Sequence, residues 1–194
     1  MPTLEPPDHA TYLARPAGST DVVLVGPQTR ARYHPDGPGP GCVKLRLRPG
    51  HAGVFGVSPR DLADRDVTVT ELRPDRPDPR RTRLVERAAT MLSAGTAVHD
   101  VADGLHLSER HLRTLFTDAT GLPPSRFVRI ARVRFVLDHL DLPLRDLAGF
   151  AGYYDQAHLT TDFRRVMGVP PAAFLAGARP EPSPCRTRVI GSAG

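Results

Sequence analysis

Two cysteines, a single lysine and no tryptophan occur in the 194 residues of this chain. Cys42 and Cys185 stand far apart with no CxxC neighbour, which excludes a disulfide framework and a cysteine zinc site. No apolar run approaches the roughly 20 residues that a membrane-spanning helix needs. The opening MPTLEPPDHA lacks the basic and apolar regions of a secretory signal, so a cytoplasmic protein with no membrane partner is expected. Hydrophobic residues at 40% and charged residues at 24% are ordinary globular values, which excludes a fibrous or wholly disordered chain. The 17 glycines and 21 prolines make up about a fifth of the residues and call for long irregular stretches.

The net charge is +5, and its placement is uneven. Basic and acidic side chains balance over residues 1–79, and the whole excess lies beyond them. Lys44 is the lone lysine among 26 basic residues, so the positive charge is carried by arginine. Arginine suits bidentate contacts with phosphate and guanine, although coding bias in a GC-rich genome yields the same composition.

The pattern divides the chain. Residues 1–72 read as a small β-rich module with four strand candidates: DVVLV (21–25), TRARYH (29–34), CVKLRLR (42–48) and DVTVTEL (66–72). In the third, Val43, Leu45 and Leu47 share one face and Lys44, Arg46 and Arg48 the other. The first forty residues are dominated by loop formers, HPDGPGPG (34–41) is a loop, and Ser58 with Pro59 begins a short helix. RPDRPDPRR (73–81) reads as a proline-rich linker, residues 82–176 as helical, and 177–194 as a disordered tail. The fold class is therefore α+β, a mainly helical C-terminal domain behind a small β-rich module.

The helical part repeats itself. Residues 98–127 lie over 144–174 with one extra residue in the second copy, pairing Asp100 with Asp146, Ala102 with Ala148, His111 with His158, Phe116 with Phe163, Gly121 with Gly168 and Phe127 with Phe174. Each copy (units 98–121 and 144–168) has a short helix with a small central residue, then a turn. A second helix follows, capped by Ser108 or Asp155 and closed by glycine. That is the grammar of a helix-turn-helix, in which the small residue lets the second helix cross closely. Asp100 and Asp146 favour the helix dipole at the starts of the short helices and are structural.

With Leu112, Leu115 and Phe116 as anchors, helix 108–120 turns Arg110, Arg113, Thr114 and Thr117 outward. With Leu159, Phe163 and Val166 as anchors, helix 155–167 turns out Gln156, Ala157, Thr160, Thr161 and Arg164. Arginine, glutamine and threonine are side chains that read base edges in a major groove. His111 and His158, with no second ligand near, suit phosphate or structural roles and not a metal. Residues 124–140 read as one long connecting helix, about 26 Å at 1.5 Å per residue. Along it Arg126, Arg129 and Arg132 form a ridge that is solvated or, at Arg129, touches phosphate.

Residues 82–176 resemble the DNA-binding domain of the AraC/XylS family of transcription regulators. DLAGFAGYYDQAHLTTDFRRVMGVPPAAF carries the signature, with Ala148, Gly152, Tyr153, Asp155, Gln156, Phe163, Gly168, Pro170 and Phe174 in place. The resemblance implies a seven-helix domain whose two units bind adjacent major grooves of double-stranded DNA through the outward residues named above. His106 replaces the usual turn glycine of the first unit, and Thr161 stands where many relatives have arginine. Residues 43–72 look like the end of a sensor domain, so the sensor looks truncated.

The resulting expectation is a sequence-specific DNA-binding transcription regulator, nucleoid-associated and not an enzyme, with no catalytic, cofactor or metal residues. Its partners are DNA and, by implication, RNA polymerase, and the unpaired strand edges of the N-terminal module call for cover either by a second copy, as a homodimer, or by packing onto the helical half. Four strands cannot enclose a pocket, so a small-molecule effector is not expected. Two alternatives remain: an interaction module that no longer reads DNA, and a DNA-repair enzyme carrying the same domain beside a methyl-accepting thiolate, which Cys42 alone does not support.

Overall fold

A computed structural model describes residues 3–35, 42–69 and 78–182. Among these residues six strands precede seven α-helices: β1 Thr3–Glu5, β2 Tyr12–Pro16, β3 Val22–Val25, β4 Arg32–His34, β5 Cys42–Arg46, β6 Asp66–Val69, α1 Pro79–Ser93, α2 Val98–Gly104, α3 Glu109–Thr120, α4 Pro124–Asp138, α5 Leu144–Phe150, α6 Gln156–Met167 and α7 Pro171–Leu175. The chain is α+β. Most of the 34–41 loop, residues 73–77 of the expected 73–81 linker, the end of DVTVTEL at 70–72 and the tail from 183 lie outside the described residues, and residues 79–81 of that linker already belong to α1, which Asp78 caps and Pro79 starts.

The first forty residues hold more strand than their composition predicts. β1 and β4 form an antiparallel ribbon, and β2 lies inside an antiparallel sheet of order β5-β2-β3-β6. Leu13 of β2 pairs with Leu24 of β3 and Leu45 of β5. Pairing on both sides, and not local propensity, makes a strand of YLARP. β5 is the edge next to β2, and its apolar face is poorly covered: Val43 is 70% and Leu45 63% exposed. The small core of this sheet, Leu24, Ala52 and Leu62, sits toward β3 and the 3-10 turns Ala52–Phe55 and Pro59–Asp61. Ser58 takes the N-cap place of the second turn with Pro59 after it, though its hydroxyl caps nothing.

The helical half has two cores, and α4 serves both. Phe127 and Ile130 join the first with Leu112, Leu115 and Phe116. Val133 and Val136 join the second with Leu147, Leu159 and Phe163. α4 ends at Asp138, two residues short of the predicted 140, because His139 leaves the helix (φ −132°) in the approach to Pro143. At 15 residues it is about 22 Å long.

The β-rich part is seated on both cores. Leu4 and Ala31 pack against the second and Ala63 against the first. Buried Tyr33 donates from Oη to the Met167 carbonyl at 2.8 Å, and Ala31 N donates to the Val166 carbonyl at 2.9 Å. Arg134 of α4 donates to Asp8 (2.7 Å) and to the Pro7 carbonyl (3.2 Å). The His9 ring lies 4.2 Å from that of Phe127, and Arg60 pairs with Asp118.

Candidate nucleic-acid interface

Two helices of twelve residues start and stop on the side chains the repeat singles out. Ser108 Oγ accepts from His111 N (3.2 Å) and Asp155 Oδ1 accepts from His158 N (2.7 Å), so each N-cap satisfies an otherwise unpaired donor. Gly121 and Gly168 end the helices in the left-handed region at φ 78° and 83°. In the turn of the first unit His106 is itself left-handed at φ 56°, matching Gly152 at 72° in the second.

The outward faces are as the helical period predicts. Arg110, Arg113, Thr114, Gln156, Ala157, Thr161 and Arg164 are exposed, and Thr117 and Thr160 are half-buried. Three hydroxyls are turned back onto their own helix: Thr114 Oγ1 donates to the Arg110 carbonyl (3.0 Å), Thr117 to Arg113 (2.6 Å) and Thr161 to Ala157 (2.9 Å). With its proton committed, each of these threonines offers outward an acceptor oxygen and a methyl group. Arg113 Nη2 pairs with Glu109 at 2.8 Å. An exposed i,i+4 pair is worth only about 0.3–0.5 kcal/mol, so a guanine edge can displace it.

The arginine ridge on α4 is not uniformly solvated. Arg126 is exposed, but Arg129 Nε donates to Asp162 Oδ1 at 2.8 Å, and Arg132 lies 5.4 Å over the Tyr153 ring. Arg129, predicted as a phosphate contact, thus holds α4 to α6 through a carboxylate 11% exposed. His111 is exposed, and His158 stands 3.9 Å from Asp162 and edge-on to Tyr153. Burial, assisted by the Asp162 charge, raises the Tyr153 hydroxyl pKa well above its usual value. Asp162 was missed in the sequence, where its signal is a carboxylate on the apolar stripe between Leu159 and Phe163. Tyr154, 93% exposed at the entry to α6, was missed as well.

Two clefts of about 240 Å³ each lie where the β-rich part meets the first unit, and not within that part. One is lined by His9, Thr11, Arg46, Arg48 and Phe127, the other by Val54, Pro59, Arg81 and Asp118. Both fall below the roughly 300–1,000 Å³ of an ordinary ligand pocket. Among the described residues no cluster of three metal-ligating side chains occurs, and no helix is long and apolar enough to cross a membrane.

Residues 101–177 match the helix-turn-helix domain family. The HTH-type transcriptional activator RhaR of Escherichia coli K12 is 28% identical over 124 residues, covering 62% of this chain and 44% of the relative; RhaR of Shigella flexneri matches equally. The chain thus spans less than half the length of these curated relatives. Among solved structures, the DNA-binding domain of AdpA in complex with a target DNA is 27% identical, with 50% of this chain and 90% of that one covered at a TM-score of 0.44. The C-terminal domain of AraT from Geobacillus stearothermophilus is 21% identical, with 54% and 89% covered at a TM-score of 0.46.

Proposed function

We propose that the helical half of the chain is an AraC/XylS-type double helix-turn-helix domain and that the protein is a sequence-specific DNA-binding transcription regulator that acts by binding and not by catalysis. The observation that carries this reading is the pair of equivalently capped helices with polar outward faces on one continuous α4. In the first unit Arg110, Arg113, Thr114 and Thr117 face bases; in the second Gln156, Ala157, Thr160, Thr161 and Arg164 do so, with His111 and His158 toward phosphate. The similarity to a transcriptional activator supports a transcriptional role; within this reading that role is exercised in the cytoplasm at the nucleoid and through RNA polymerase. The exposed face of β5 around Leu45 supports pairing with a second copy.

The test is selection of bound duplexes from a random library by the full chain. The reading requires an asymmetric site of about 20 base pairs for each copy of the chain, because the two outward faces differ in sequence. It also requires affinity that falls steeply as salt rises from about 50 to 200 mM. Absence of any enriched sequence overturns it.

A further inference from the structure

The β-rich module touches the two reading helices at equivalent places. Under the repeat, Ala119, Thr120 and Gly121 of the first unit correspond to Val166, Met167 and Gly168 of the second. The ribbon β1–β4 hydrogen-bonds the Val166 and Met167 carbonyls through Ala31 and Tyr33. The 3-10 turn at Pro59 sits on the other end: a Cβ on Gly121 would lie 2.2 Å from the Pro59 carbonyl oxygen, and Arg60 holds Asp118. A third foothold falls on α4 itself, where Arg134 binds Asp8 and Pro7. The N-terminal halves of both reading helices, where base contacts are made in helix-turn-helix proteins, stay clear of these footholds.

The segment between the two ends is laced together. Gly26 N donates to the Arg65 carbonyl (2.9 Å) and Asp64 N to the Pro27 carbonyl (2.8 Å). The Asp64 carboxylate accepts from Thr29 N (2.7 Å) and Thr29 Oγ1 (2.6 Å). Gly26 leaves no room for a side chain, since a Cβ there would stand 1.8 Å from the Leu62 carbonyl oxygen. Asp64 is held at φ 59°, a left-handed conformation that such lacing can sustain. The ribbon on the second unit and the turn on the first are therefore ends of one rigid body.

We propose that the β-rich module is a brace that grips the C-terminal ends of α3 and α6 and sets the separation and phase of the two half-sites the protein accepts. Among the described helices α4 is the one that enters both hydrophobic cores, and a single helix bends. The brace closes the second side of the frame. Tyr33, Asp64 and Arg134 are then positioning residues for DNA spacing and touch no base. This rests on the DNA-binding reading above.

The experiment uses the full chain and its selected site, with versions carrying one base pair added or removed between the half-sites. Each such change displaces one half-site by about 3.4 Å and turns it by about 34°. The unchanged protein should favour the original spacing by about tenfold or more, in the range of a single mismatch. Tyr33→Phe/Arg134→Ala removes one of the two hydrogen bonds to α6 and the side chain that binds Asp8 and Pro7 from α4. Asp64→Gly keeps the left-handed backbone and removes the two carboxylate bonds of the lace without touching a helix. Both should bring the three spacings toward equal affinity, with the helical circular dichroism and the preference for the half-site sequences retained. Unchanged discrimination in both variants, or equal loss on every spacing, overturns the brace. Failure of the unchanged protein to prefer any duplex overturns the DNA-binding reading instead.

Discussion

Leu115 and Asp162 occupy the same position in the two copies of the repeat, and each is buried: the leucine as an apolar anchor 7% exposed, the aspartate as a carboxylate held by Arg129 at 2.8 Å. Each reading helix is held by an ion pair as well as by apolar packing, but α3 carries its aspartate, Asp118, beside Arg60 and off the anchor stripe, whereas α6 carries Asp162 at an anchor position beside Arg129 of α4. Removing one partner of such a pair leaves a charge without compensation, whereas replacing both by apolar residues is often neutral. Arg129→Ala should therefore destabilise the chain toward the lower end of about 3–5 kcal/mol, because the arginine itself is 28% exposed. Arg129→Leu/Asp162→Leu, which copies the first unit, should recover most of that loss in urea unfolding.

Arg113→Ala should cost about 1–3 kcal/mol of DNA affinity and relax the preference at one base position, the effect of losing a bidentate guanine contact. Repeating the selection with the variant checks it. A loss spread evenly over all sequences would place Arg113 on phosphate.

His106→Gly should stabilise the chain by roughly half a kcal/mol: the left-handed backbone costs a residue with a Cβ about 1–2 kcal/mol, and glycine returns part of the gain to the unfolded state. Gly152→Ala should lose about 1 kcal/mol for the converse reason. A Cβ there would meet Arg132 at an ordinary 3.5 Å, so the loss is conformational and not a clash. Thermal unfolding of both variants measures the pair of effects.

His9 makes docking of the β-rich part sensitive to acid. Arg46 can only donate, so His9 Nε2 accepts from it at 3.2 Å and the ring is neutral. Burial, assisted by the charges of Arg46 and Arg134 and opposed by Asp8, pushes its pKa down to about 4 from 6.5. Between those values the unfolded chain binds the extra proton and the folded one does not. Stability is therefore full above about pH 6.5 and falls as the pH drops toward 4, by about 3 kcal/mol in all. Asp8 adds to the loss at lower pH still: burial would raise its carboxyl, but hydrogen bonds from Tyr12 and Ala10 and the Arg134 charge hold it below the usual range. Urea unfolding across this range should show a flatter slope for His9→Gln.

What was legible in the sequence was local. Ser108, Asp155, Gly121 and Gly168 mark helix ends because capping is settled within a few residues, and the repeat fixes the anchors for the same reason. β1 escaped notice because its partner β4 lies about thirty residues on, and β2, though it pairs with β3 about ten residues on as well as with β5 about thirty on, because Pro16 masks a short strand. The alternation in β5 places Val43 and Leu45 on one face, but alternation does not say which face is covered. The same distance in sequence hides Arg129 from Asp162 and Arg60 from Asp118, so every contact between the two halves of the chain had to come from the structure.

The grip on the second unit is made to main-chain oxygens, those of Val166 and Met167, and any amino acid supplies these. The first unit is held through Asp118 and the bare Cα of Gly121, which few replacements preserve. The two halves of the reading head are thus unequally free to mutate. New base preferences can be written into α6, by natural drift or by grafting, while the protein goes on measuring the same interval along the DNA.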